Sequence, residues 1–241
     1  MEILSQFLLR LAFGLAYGMM ITSPKKVSSG FYRNHLYVTL GLTTLAALVL
    51  SQSDAWAAAA ASLAAVASFV GAAAWLYEAP RPGRFFIQLV SALSLAAGCT
   101  YPFEVWHVVA FTTSGLVLGV TFCSMLLGHW YLNAPGMELA PLRKLLVIAA
   151  IAIVVQMVVV GTGLVCEASH RSTVGIDWLL FVTLRWSFGL FGVLGLLWMA
   201  WQTLKIPNTQ SATGILYVAV IGVFIGELTG LLLSAESSYP L

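Results

Sequence analysis

Long stretches of this chain carry almost no charge, and that decides what solvent it can fold in. Only 8% of the 241 residues are Asp, Glu, Lys or Arg, while 60% are hydrophobic. A soluble globular domain carries roughly 25% charged residues, so too little polar surface exists to face water and lipid must cover most of the molecule. Apolar runs of this length cross a bilayer as helices, which satisfy their own backbone hydrogen bonds. The 21 glycines agree, because glycine is commoner in membrane helices than in soluble ones. The whole chain, 1–241, therefore reads as one integral membrane domain with an all-α, polytopic fold.

A hydrocarbon core about 30 Å thick needs roughly 20 apolar residues per helix. Eight segments meet or approach that: 3–22, 36–52, 55–77, 85–101, 106–132, 142–165, 178–201 and 214–235. The fourth is the weakest, being short and holding Gln88, Ser91 and Ser94. Pro80, Pro82, Pro135, Pro141 and Pro207 fall in or beside the connections, where proline interrupts no helix. The first segment reads as a retained span. It contains Glu2 and Arg10, and it runs into Pro24-Lys25-Lys26 instead of a small-residue cleavage site.

Basic residues test the count independently. Loops after spans one, three, five and seven hold Lys25, Lys26, Arg33, Arg81, Arg84, Arg143, Lys144 and Lys205, against Arg171 on the other side. Under the positive-inside rule this places both termini outside, in a bacterial-type inner (plasma) membrane. Without the fourth crossing, Arg143 and Lys144 would change sides and the asymmetry would vanish. Trp75, Tyr77, Trp130, Tyr131, Trp198 and Trp201 then mark the inner edge, and Tyr101, Trp106 and Trp178 the outer one. The net charge of +2 is too small and too scattered to suggest nucleic acid, which leaves the lipid bilayer and other membrane subunits as partners.

Three ionisable residues, Arg10, Arg185 and Glu227, lie well inside apolar spans. Counted from the outer edge at 1.5 Å per residue, each sits roughly 10 Å deep, so the three can meet as an Arg–Glu–Arg cluster with one surplus positive charge. Charge at that depth faces a partner or a cavity. Such a cluster is either an ion-paired staple between spans one, seven and eight or a seat for an anionic or carbonyl-bearing ligand. Glycines at four-residue spacing, Gly222, Gly226 and Gly230 on span eight, Gly115 and Gly119 on span five, and Gly14 and Gly18 on span one, let these helices approach closely. Leu9-Arg10-Leu11-Ala12-Phe13-Gly14-Leu15 recurs as Leu184-Arg185-Trp186-Ser187-Phe188-Gly189-Leu190, which suggests that the first and last hairpins are related.

His107 and His129 on span five lie near opposite membrane faces, about 33 Å apart along the axis. Imidazole is the usual axial ligand of b-type haem, so each is a candidate for haem or for a quinone carbonyl. His129, within Gly128-His129-Trp130-Tyr131, is the better placed. His35 and His170 fall in loops. Cys99 and Cys166 share the outer side, where a disulfide is permitted. No CxxC, HExxH, P-loop or nucleophile-elbow pattern occurs, so nothing points to a metal site, a hydrolase or an ATP-driven machine.

From Leu184-Arg185 through Gly226-Glu227-Leu228-Thr229-Gly230, the last two spans resemble the end of the membrane-anchor subunits of polysulfide and dimethyl sulfoxide reductases. That family has about eight spans, an arginine in the penultimate helix and Gly-Glu-Leu in the last. The resemblance implies electron exchange with quinol and an iron–sulfur partner. Leu231 stands where the family often has an arginine. A second similarity, to PQ-loop hairpins of seven-span transporters and receptors, rests on Gln202, Lys205, Ser211 and Gly214, with Trp201 in place of the proline. The expected function is thus a membrane subunit of an electron-transfer complex, non-catalytic or quinone-reactive. The alternatives are a small-solute or ion transporter using the Arg/Glu cluster and an assembly or scaffold protein.

Overall fold

The computed structural model describes residues 2–100, 104–134, 136–170, 175–206 and 208–241. Eight helical rods and no strand occur among them: α1 Glu2–Ile21, α2 Ser29–Leu50, α3 Ala55–Leu76, α4 Pro80–Gly98, α5 Val105–Asn133, α6 Ala140–His170, α7 Ile176–Lys205 and α8 Thr209–Ala235. Six of them, all but α2 and α4, are long and apolar enough to cross a membrane. The other two are diluted by polar residues: Arg33, Asn34, His35, Thr39 and Thr43 on α2, and Arg81, Arg84, Gln88, Ser91 and Ser94 on α4.

Helix boundaries depart from the hydropathy reading where polar residues carry the helix past the apolar run. α2 begins at Ser29, so His35 is a buried helical residue and not a loop residue. His170 is the last residue of α6, again not in a loop. Pro80 opens α4 and Pro141 sits in the first turn of α6, positions whose missing N–H has no intrahelical partner to lose. α7 is interrupted by a π-helical stretch, Arg185–Gly192. Tyr101, Pro135, Arg171 and Pro207 lie outside the described residues.

α1 and α5 form the centre of the bundle. α1 packs on α2, α4 and α5, while α5 packs on α1, α6 and α8; α7 lies outermost, mostly against α8. Glycine makes the central crossing possible. A Cβ on Gly14 would overlap the Gly115 carbonyl oxygen, and one on Gly119 would overlap the Gly14 carbonyl carbon, so the two backbones touch. At the α7–α8 crossing a Cβ on Gly189 would stand 2.6 Å from the Gly226 Cα. Several buried hydroxyls bond back along their own helices, as Thr22 does to Gly18 O (2.8 Å) and Ser68 to Ala64 O (2.8 Å). This satisfies them without water.

The basic loops gather at one end. Lys26 pairs with Glu138 at 2.7 Å, Lys144 Nζ donates to Ile21 O (3.2 Å), and Arg143 Nη2 donates to Leu204 O (2.7 Å). Two of these cations therefore cap the carbonyl ends of α1 and α7, where the helix dipole favours positive charge. The α3–α4 turn joins them through Trp75, which stacks on Tyr32 at 4.2 Å and covers Gly83. Trp75 and Tyr131 are consequently buried packing residues, not members of an interfacial belt, whereas Tyr77 and Trp198 are exposed. The opposite end carries Glu2, Asp54, Glu104, Glu167 and Asp177.

Candidate functional site

Between α1, α5, α7 and α8, the three deep charges are linked in one chain of contacts. Arg185 Nη1 lies 3.8 Å from Glu227 Oε1 and donates to the Gly226 carbonyl at 2.7 Å. Both side chains are only 3% exposed. The guanidinium rests directly on α8, since a Cβ at Gly230 would overlap Arg185 Nη1. The glycine run on α8 is thus a seat: Gly226 admits the α7 backbone, and Gly230, one turn further on, admits the arginine head.

Arg10 reaches the same carboxylate indirectly. Its Nη1 donates to Ser114 Oγ at 3.0 Å, and Ser114 Oγ in turn donates to Glu227 Oε2. The serine's single proton is therefore spent on Glu227, and its lone pair receives Arg10. The Arg10 guanidinium also lies over the Phe111 ring, 5.4 Å from its centroid. The close α1–α5 crossing at Gly14 and Gly115 puts Arg10, one turn before Gly14, opposite Ser114, the residue beside Gly115. The two similar segments thus deliver one arginine each, Arg185 from α7 toward Glu227 Oε1 and Arg10 from α1, through Ser114, toward Oε2.

Two guanidinium groups share one carboxylate, and their bonding is incomplete. The Nε atoms of Arg10 and of Arg185 are buried without a hydrogen-bond partner. Both arginines line a cleft of about 1140 Å³ that leads to the acidic end, where Glu2, Asp54 and Glu104 contribute to its wall. Gln156 of α6 lines the same cleft; it is 2% exposed, and its Oε1 also lacks a partner. Unpaired polar atoms in a dry interior are costly, more so where the donor is charged. The chain past α8 folds back over this end: Ser238 N donates to Glu167 Oε2 (3.1 Å), and Pro240 packs against Gly163.

The hydrogen bonds that link Arg10, Ser114, Glu227 and Arg185 involve no histidine, but His107 lines the same cleft. His129 is exposed, with Nδ1 3.3 Å from the Tyr217 hydroxyl. His107 is exposed at the other end, 3.7 Å from Glu104. His35 packs beside Trp130 with Nδ1 2.5 Å from Phe31 O, committed to its own helix. No group of three or more His, Cys, Asp or Glu able to hold a metal occurs among the described residues. Cys99, Cys123 and Cys166 are free thiols.

Two members of the site are absent from the sequence reading, Ser114 and Gln156. Gln156 had a signal, a lone amide in the most hydrophobic of the spans. Ser114 had none beyond its place next to Gly115, because a serine in a membrane helix ordinarily satisfies itself against its own backbone. Comparison with known proteins adds no assignment: no family model, no curated protein and no solved structure matches this chain.

Proposed function

We propose that this chain is a multi-pass membrane protein with eight crossings and both termini on the non-cytoplasmic side. It binds a small solute through a carboxylate or carbonyl group in the cleft, as a carrier for that solute. One observation carries the reading: two guanidinium groups that share a single carboxylate line a cleft that leads to the end remote from the basic loops. Counting Arg10, Arg185 and Glu227 gives one uncompensated positive charge, and removing such a charge from water is expensive. A ligand carrying one negative charge neutralises the site.

Thermal unfolding of the detergent-purified protein in millimolar carboxylates tests this. The reading expects a rise in unfolding temperature that Arg10→Gln abolishes, and equal melting with and without every carboxylate would refute it. Epitope tags in the Lys25 loop and the Arg143 loop should both be protected in right-side-out vesicles. Tags on different sides would remove the fourth crossing and the proposed orientation.

A second reading keeps the electron-transfer expectation, because a quinone carbonyl in the cleft would accept hydrogen bonds from the arginines that line it. It requires protein purified from membranes to carry a quinone whose difference spectrum is lost in Arg10→Gln.

A further inference from the structure

The outermost rod leaves a groove on the outside of the bundle, between α6 and α7. The two helices touch near both of its ends. Arg143 Nη2 donates to Leu204 O at 2.7 Å, and a Cβ on Gly161 would meet the Trp186 ring at 3.5 Å. Between these contacts lies a groove of about 470 Å³. Leu146 and Leu197, both buried, form its floor, and Val147, Phe191 and Trp198, all exposed, form its walls. Gly195 lines it without a side chain, and a Cβ added there would meet nothing within 4 Å. From Trp201 to Phe191 the groove follows α7 for about 15 Å at 1.5 Å per residue. That is half of a hydrocarbon core about 30 Å thick, the reach of an acyl chain in one leaflet.

Charge at one end of the groove selects the headgroup. Arg143 stands one turn before Leu146 and Val147 on α6, and Lys205 stands one turn after Trp201 on α7, so each shares a helix face with residues that line the groove. The bond from Arg143 to Leu204 O holds these two helix ends together. Both cations are exposed, and neither has an ion-pair partner among the described residues. Glu138, just before α6, is committed to Lys26 at 2.7 Å. We propose that the groove binds one anionic phospholipid of the leaflet on the basic side, with an acyl chain along Leu197 and Gly195 and its phosphate between Arg143 and Lys205. Basic pockets between membrane helices select anionic headgroups in this way, whereas a neutral lipid gains only the chain contacts that any lipid-facing surface offers. The site rests on the membrane placement above and is independent of the cleft lined by Arg10 and Arg185.

Native mass spectrometry of the full-length protein in detergent provides the test, with phosphatidylglycerol or phosphatidylcholine of identical acyl chains added. Phosphatidylglycerol should be retained on the order of twentyfold more tightly, about fivefold for each of the two cations. Lys205→Gln and Arg143→Gln should each cut that preference about fivefold, and Lys205→Arg should keep it. Gly195→Leu, which fills the groove from open space, should weaken both lipids while the protein melts with the unaltered one. Equal retention of the two lipids by the unaltered protein overturns the headgroup assignment. A phosphatidylglycerol preference that survives both Lys205→Gln and Arg143→Gln puts the lipid elsewhere and overturns the site, as does undiminished binding to Gly195→Leu. Selective lipid retention by a protein that ignores every carboxylate would leave this site standing and refute only the solute reading of the cleft.

Discussion

Replacing Glu227 by Gln removes the only anion from a cluster that also holds two guanidinium groups, and the geometry sets the cost. At the observed 3.8 Å between Arg185 Nη1 and Glu227 Oε1, unit charges attract by about 4 kcal/mol at an effective dielectric constant of about 20. That falls within the range of roughly 3–5 kcal/mol for breaking one side of a buried pair. The glutamine amide can still accept from Ser114, and Gly226 O still accepts from Arg185, so the expected loss is about 3 kcal/mol. For a chain of this length that corresponds to a fall in unfolding temperature on the order of 5–10 °C. Arg10→Gln behaves differently, because it leaves the Arg185–Glu227 pair intact and makes the cluster neutral. Its cost, the charged hydrogen bond to Ser114 and the contact with Phe111, is offset by the loss of like-charge repulsion. It should melt well above Glu227→Gln. The double variant Arg10→Gln/Glu227→Gln should recover part of the loss seen in Glu227→Gln, since one unpaired guanidinium is less costly than two. Circular dichroism at 222 nm or a thiol-reactive dye at Cys123, which is fully buried, can follow the transitions. A Glu227→Gln protein that melts with the unaltered one, or a double variant whose loss is the sum of the two single losses, would refute the electrostatic account.

Two further outcomes test the packing and the capping that hold the site in place. Gly119→Val should prevent accumulation of folded protein, because its Cβ would overlap the Gly14 backbone, whereas Gly195→Ala, with open space around its Cβ, should be neutral within about 0.5 kcal/mol; comparable yields and melting of the two proteins would sink the backbone-contact claim. Asp54 accepts from Trp56 N–H (2.9 Å), Ala57 N–H (3.0 Å) and the Thr100 hydroxyl (3.0 Å), and the bond from Ala57 chiefly holds its carboxyl below the ordinary value despite some desolvation. A depressed folded-state value contributes stability that is complete above about pH 4, the ordinary range for Asp, and is lost as pH falls through the lower folded value. Asp54→Ala should therefore cost about 1 kcal/mol at neutral pH and have its melting difference from the unaltered protein shrink in strong acid; a difference that grows on acidification would contradict the cap.

Apolar run length and the near absence of charge were enough to establish an all-helical chain and the approximate position of each rod, because a backbone in lipid has few other ways to satisfy its hydrogen bonds. The same residue counting placed Arg10, Arg185 and Glu227 in one layer, since rise per residue is a local property. Boundaries were less legible where polar residues extend a helix beyond its apolar part. Ser29 through His35 look like a loop by hydropathy, yet Phe31, Tyr32 and His35 are buried in α2. What the sequence could not supply was rotation about each axis and the partner it faces. Those depend on which glycine meets which backbone: Gly14 against Gly115 and Gly119, and Gly189 against Gly226. These crossings put Ser114 between Arg10 and Glu227 and lay Arg185 over Gly230. Depth in a membrane adds up along a single helix, but contact between side chains is a relation among several helices, and only the packed bundle decides it.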